Sequence, residues 1–248
     1  GRVKPTMNDK FLQIEEFLRI LMPTLEAEIA NNRIPQPTSD NPLKIVDHGC
    51  GNAYLTFATH NFLIEKNFYN TVVGIDKRED SRDRNAAIAE RLAISDAVSF
   101  RAEKISDSVN SAADVAIALH ACDTATDDAL AWSIKNGAKI ILVSPCCHHD
   151  LQLQMTKIPD PWHQVTKHGI LNQRLGDVLT DALRAQILRF NGYRTDIIEF
   201  IGDDHTPRNL MIRAVKTNSQ PDPQELASYS DFVRSWNLRP KLAELLKF

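Results

Sequence analysis

No apolar stretch of this chain approaches the roughly 20 residues that a membrane span requires. Its first residues carry no secretory pattern either, so the expectation is no membrane and a cytoplasmic home. Net positive charge is also missing. The balance is −3, whereas a bare nucleic-acid-binding domain is usually basic. Aromatic residues make up only 7% of the chain, and they form no stacking platform for bases. The 4 cysteines, at 50, 122, 146 and 147, include no Cys-x-x-Cys pair, so the usual spacing of a structural zinc site is absent. They match no secreted disulfide framework, and reduced thiols fit better. Cys146 and Cys147 are neighbours, which argues against both holding one ion, so no metal is expected. There is no internal repeat and no low-complexity tract.

What is present is an ordinary globular composition, 43% hydrophobic and 25% charged over 248 residues. That length can bury a sizeable core. The basic cluster Lys77, Arg78, Arg82 and Arg84 reads as a solvated helix face. Residues 8 to 31 have helical spacing, with Pro23 starting a second segment. The stretch 33 to 42 holds prolines at 35, 37 and 42 and reads as a linker. Short apolar runs then alternate with helical patterns: Leu43–Asp47, Thr71–Asp76, Ala97–Arg101, Asp114–Leu119 and Lys139–Ser144. Helices are expected over Ala53–Lys66, Arg82–Ala93, Thr124–Asn136 and Gln173–Phe190. This alternation predicts a parallel sheet covered on both faces. Tyr193–Ile201 and Asn209–Lys216 follow at hairpin spacing, and the tail predicts a helix near Glu225–Trp236 and a short closing one. The expected organisation is an N-terminal helical extension with its linker (1–40), a main domain (41–218) and a C-terminal helical tail (219–248).

The first run ends in Asp47-His-Gly-Cys-Gly-Asn-Ala-Tyr-Leu55. Ligands of open parallel sheets bind where strands end and the strand order reverses. Gly49 and Gly51 let the backbone turn tightly beside such a ligand. A dinucleotide fingerprint wants a third glycine, but Tyr54 stands there. Asp47 is also misplaced beside a pyrophosphate and suits a positive charge or an amine. Asp76, at the end of the second run, can accept both hydroxyls of a ribose. A ribose with a cationic amino-acid tail and no phosphate describes S-adenosylmethionine. A nicotinamide cofactor and an unrelated β-α turn are the alternatives.

The pair Asp47-x-Gly-x-Gly and Asp76 resembles the cofactor signature of class I S-adenosylmethionine-dependent methyltransferases. The resemblance implies an α/β Rossmann-like sheet: mostly parallel, seven strands, a terminal antiparallel hairpin, flanking helices. It places Gly49, Cys50, Gly51 and Asn52 at the methionine end, Asp76 at the ribose, and Ala102 and Glu103 beside the adenine, with Lys77 in the same cofactor set. Leu119 and His120 complete the expected cofactor set.

The fourth run ends Leu-His-Ala-Cys-Asp123, without the Asn/Asp-Pro-Pro-aromatic tetrad common in enzymes that methylate exocyclic amines of bases. The fifth ends Ser-Pro-Cys-Cys-His-His149. Together these runs resemble a methyltransferase-domain branch of bacteria and eukaryotes, related to tRNA 2′-O-methyltransferases of the acceptor stem. The segment Asp204-His-Thr-Pro-Arg-Asn209 is similar to one in its bacterial members. The likeness spans roughly residues 40 to 216, and it departs from the tRNA enzymes at Asp123, where they carry Gly. It implies tRNA or rRNA as acceptor, with a small molecule, a protein, or a non-catalytic cofactor-binding subunit as alternatives. His120 and His148 are candidate proton acceptors. Asp123 is a third catalytic candidate, although it could simply cap the following helix. Cys146, Cys147, His149, His205, Arg208 and Asn209 are candidate substrate contacts.

Overall fold

The structure is a computed structural model that describes residues 8–108, 112–119, 121–199 and 209–248. His120, His205 and Arg208 lie outside the described residues. The strands are β1 (Leu43–His48), β2 (Asn70–Asp76), β3 (Val98–Ala102), β4 (Val115–Leu119), β5 (Ile140–Ser144), β6 (Tyr193–Glu199) and β7 (Leu210–Lys216). They form one sheet in the order β3-β2-β1-β4-β5-β7-β6. Neighbours among β1 to β5 pair parallel, while β7 runs antiparallel to both β5 and β6. The chain lays down β1, β2 and β3 in one direction, then returns to the other side of β1 for β4. The strand order therefore reverses between β1 and β4.

The central strands are continuous apolar runs because both faces are covered. On one face α1 (Asn8–Ala30) and α2 (Tyr54–Glu65) bury Phe17, Leu21, Leu25 and Leu63 against Ile45, Val72, Ile117, Ile140 and Leu142. On the other, α4 (Thr124–Lys135), α7 (Gly169–Phe190), α8 (Pro223–Ser235) and α9 (Lys241–Leu246) cover Val46, Ala116, Ala118, Ile141, Val143 and Ile212. The helix α3 (Glu79–Arg91) links β2 to β3, and two short helices, α5 (His149–Gln154) and α6 (His163–Thr166), precede α7.

The first helix differs from the sequence expectation. It runs unbroken through Pro23, although proline lacks an N–H and crowds the preceding turn. The Thr24 hydroxyl donates to Ile20 O at 2.8 Å, adding a bond in the turn that Pro23 weakens. The buried stripe Phe17, Leu18, Leu21, Leu25 then holds both halves against the sheet. The extension is thus a wall of the core, and the linker beyond it buries Ile34. No described helix is long and apolar enough to cross a membrane.

Candidate active site at the strand ends

The turn after β1 sits at the reversal point. Gly49 has φ +71° and Gly51 φ +54°, a left-handed backbone that glycine adopts without the Cβ clash of other residues. The Gly49 and Cys50 N–H groups donate to Ile75 O at 2.8 and 3.0 Å, stitching the turn to β2. Gly51 N–H donates to Asp76 Oδ2 at 3.0 Å. From α3, Asn85 Nδ2 donates to Gly51 O at 2.9 Å and Arg84 Nη2 to Asn52 Oδ1 at 2.7 Å. A methyl group on Gly49 would lie 3.7 Å from Ala121 Cβ, so the turn after β1 borders the loop after β4. Beneath it, Gly74 allows the Phe100 ring and Cys50 Sγ to close over β2, where a Cβ would meet them at 2.6 to 3.0 Å.

Tyr54 explains itself in this frame. It opens α2, is 44% exposed, and carries the Lys10 ammonium 5.0 Å above its ring. A large side chain is accommodated there because it points partly into solvent.

The two acids behave differently. Asp47 is buried below the turn and accepts a 2.6 Å hydrogen bond from the Thr56 hydroxyl. Burial pushes its carboxyl up to about 7; the Thr56 bond opposes this and the charge of Asp76 adds to it. Asp76 stands at the rim. Burial would raise it, but bonds from Arg78 outweigh that and hold it below the usual carboxylate range. Its Oδ1 accepts from Arg78 N (3.1 Å) and Nε (2.9 Å). Beside it, Glu103 N–H donates to Asp76 O at 3.1 Å. Among the described residues Glu103 Oε1 is buried without a hydrogen bond, 3.9 Å from Arg101 Nη1. Ala102 ends β3 paired with Asp76, Lys77 is exposed beyond it, and Leu119 ends β4 half-buried. An anchored glycine turn, a rim carboxylate and a buried acceptor without a hydrogen bond among the described residues fit a ligand with an amino-acid end, vicinal hydroxyls and an exocyclic amine.

The ends of β4 and β5 lie side by side, since Leu119 pairs with Ser144. Asp123, at the start of α4, makes no capping bond and has φ +52°. Its Oδ1 instead accepts from Asp150 N at 3.2 Å, tying the loop after β4 to α5. The capping reading is thereby corrected: the left-handed backbone turns this side chain across the loop. His148 is 3% exposed. Its Nε2 lies 3.0 Å from both Asp181 oxygens, and its Nδ1 is 3.2 Å from Asp177 Oδ1, at ion-pair range without hydrogen-bond alignment. The sequence suggests a proton acceptor in a cleft, whereas the structure has a histidine anchored in the interior. His149 is exposed at the first position of α5. Asn209 is buried and donates to Glu199 Oε1 at 2.8 Å, on the hairpin side.

Two features escaped sequence reasoning. Arg184 of α7 donates to Asp127 Oδ1 (3.0 Å) and Oδ2 (2.6 Å), to Asp181 Oδ1 (3.2 Å) and to Asp123 O (3.1 Å). It thereby locks α4, α7 and the loop after β4 together. His48, between Asp47 and Gly49, is fully buried edge-on against Trp132 at 4.7 Å, and burial drives its pKa down to about 3, so it is neutral. The only sequence hint for either was a charged residue inside an apolar helical pattern, or a histidine inside the turn itself.

The cysteines need a correction too. Cys146 and Cys147 present their sulfurs 3.7 Å apart, and Cys122 joins them so that all three lie within 4.8 Å of one another. Neighbouring cysteines after Pro145 can therefore face one point, contrary to the expectation from adjacency. Burial and the neighbouring thiol raise the Cys146 pKa to about 12.

A family profile described as a methyltransferase domain matches residues 9–154. No curated protein matches the chain in sequence. Among solved structures, the chain is similar to magnesium protoporphyrin IX methyltransferase from Synechocystis PCC 6803 with bound SAH. That likeness has 16% identity, covers 88% of this chain and 89% of that one, and gives a TM-score of 0.48. It is also similar to geranyl diphosphate C-methyltransferase from Streptomyces coelicolor A3(2), at 14% identity, 78% and 77% coverage and a TM-score of 0.48. A ribosomal protein L11 methylase from Lactobacillus delbrueckii subsp. bulgaricus shows 14% identity, 85% and 79% coverage and a TM-score of 0.46.

Proposed function

The chain belongs to the methyltransferase domain family, and we propose that it transfers the methyl group of S-adenosylmethionine to an RNA, tRNA or rRNA. The observation that carries the donor is the anchored glycine turn between the buried Asp47 and the rim Asp76, at the point where the strand order reverses. The RNA acceptor is supported by the resemblance of the His120–Asp123 and Pro145–His148 runs to those of tRNA 2′-O-methyltransferases.

When bound, the donor supplies an electrophilic methyl on a positively charged sulfur. Around it, Gly49–Asn52 hold the amino-acid end, and Asp47, whose carboxyl loses its proton only near pH 7, provides a buried negative charge once the cationic donor is in place. Asp76 takes the ribose hydroxyls. Its oxygens are already engaged by Gly51 N–H and by Arg78, so the ribose has to displace the Arg78 side chain, which is 51% exposed. Arg78 is the solvent-exposed partner of the pair, so its guanidinium returns to water as the ribose hydroxyls take its place. Ala102 and Glu103 lie at the adenine, with Glu103 Oε1 accepting its amine, while Cys50, Lys77 and Leu119 flank the donor.

On the acceptor side, alignment of the nucleophile with the methyl group accounts for most of the acceleration. His120 takes the proton that leaves the acceptor oxygen. Asp123 and His148 act as positioning residues that fix the loops, with His149 and Asn209, and beyond the described residues His205 and Arg208, set for the polar acceptor.

Incubation with methyl-labelled donor and separated RNA, protein and metabolite pools is expected to place label in RNA. Label in the protein or metabolite pool overturns the RNA acceptor. No label in any pool, with the donor bound, leaves the non-catalytic subunit as the function.

A further inference from the structure

The three clustered cysteines are not used by the function proposed above. Their convergence follows from topology. β4 and β5 are adjacent and parallel, with Leu119 beside Ser144, so Cys122 and the Cys146–Cys147 pair leave the sheet at one edge. Both loops are held from behind. Thr126 Oγ1 donates to Ala121 O at 2.6 Å, Asp123 accepts from Asp150 N, and His148 is anchored on Asp181. Pro145 is buried directly before the pair.

The spacing is informative. A disulfide needs sulfurs about 2.05 Å apart. Sulfurs on one tetrahedral zinc ion, each about 2.3 Å from it, lie about 3.8 Å apart. The observed 3.7 Å between Cys146 and Cys147 corresponds to the second spacing and not the first, and the Cys122 sulfur lies within 4.8 Å of both. Thiol donors select soft or borderline cations over magnesium or calcium, which prefer oxygen. Cys122 is exposed while Cys146 and Cys147 are half-buried, so among the described residues the cluster is reachable from solvent through Cys122.

We propose that Cys122, Cys146 and Cys147 form a three-thiolate site for a thiophilic divalent cation such as zinc, with the fourth position open to solvent. The ion would staple the loop after β4 to the loop after β5. Three protein ligands and one open position is the pattern of zinc sites that take water or a substrate atom. The inference stands on the sulfur geometry and does not require the methyltransferase reading.

The test uses the reduced, metal-stripped full chain titrated with cobalt(II) as a spectroscopic probe, followed by displacement with zinc. One equivalent of cobalt is expected to bind with a thiolate-to-cobalt charge-transfer band that zinc abolishes. Cys122→Ser, Cys146→Ser and Cys147→Ser should each weaken binding by about 100-fold or more. Zinc should raise the thermal midpoint of the parent chain but not that of Cys122→Ser, whose site is exposed and whose fold is undisturbed. Absence of the band, binding unchanged in these variants, or a Cys146–Cys147 disulfide that forms even in the presence of zinc overturns the proposal. Donor binding measured separately on the same samples keeps this result distinct from that of the function proposed above.

Discussion

Replacing Asp47 with Asn is expected to weaken donor binding by roughly 30-fold or more, and to stabilise the unliganded protein above neutral pH. The first effect follows from the role proposed for Asp47, whose carboxylate, ionised above about pH 7, would balance the cationic donor, a loss of about 2–5 kcal/mol. The second follows from the raised carboxyl. In the folded chain Asp47 holds its proton up to about pH 7, against an ordinary value of 3.8. Between those values the folded state binds the proton and the unfolded state does not, so stability falls as pH rises through that window. At 1.36 kcal/mol for each unit, the full cost above pH 7 is roughly 4 kcal/mol as an upper bound. Asn does not titrate, and it still offers an oxygen to the Thr56 hydroxyl. Thermal unfolding at pH 8 should therefore place the variant roughly 10 °C above the parent, with the gap closing toward pH 4. A variant less stable than the parent at pH 8, or one with unchanged donor affinity, contradicts this account of Asp47.

Arg184→Met is expected to have a comparable effect in the opposite direction. Arg184 is 3% exposed, and Asp127 and Asp181, both 4% exposed, rely on it for charge. Removing one partner from a buried ion-pair network leaves uncompensated charges and costs about 3–5 kcal/mol. The thermal midpoint should fall by roughly 10 °C or more. Methionine keeps most of the side-chain volume, so the loss is electrostatic rather than a cavity. Adding Asp127→Asn and Asp181→Asn to the same chain should recover more than half of the deficit, because close partners do not contribute additively. No recovery in the triple variant would show that the packing of α4 on α7, and not the charge network, sets the effect. The loop after β4 is held through Asp123 O by the same guanidinium, so methyl transfer by the single variant should suffer beyond its loss of stability.

How far the chain could be read without coordinates varied with the kind of interaction. The central strands were legible because buried parallel strands are unbroken apolar runs, and β1, β4 and β5 lie within a residue of the expected limits. Helix α1 was misjudged at Pro23, where the burial of Phe17, Leu21 and Leu25 overrides the local penalty. Helices α5 and α6 are only 6 and 4 residues long, too short to show a period. At the site, the glycine turn and its two acids were visible because they are local to two strand ends. The positions of Asp123 and His148 were not, since their partners Asp150, Asp177 and Asp181 are on α5 and α7. The thiol cluster was hidden for the same reason. Only the pairing of β4 with β5 brings Cys122 to Cys146 and Cys147.

The account rests on S-adenosylmethionine as the ligand of the glycine turn and Asp76, and calorimetric titration of the chain with that donor, with its demethylated product and with NAD tests it most directly. One-site binding of the donor and its product is expected, with no heat from NAD and a clear loss of donor affinity in Asp76→Ala. Absence of donor binding, or NAD binding at the same site, would contradict it.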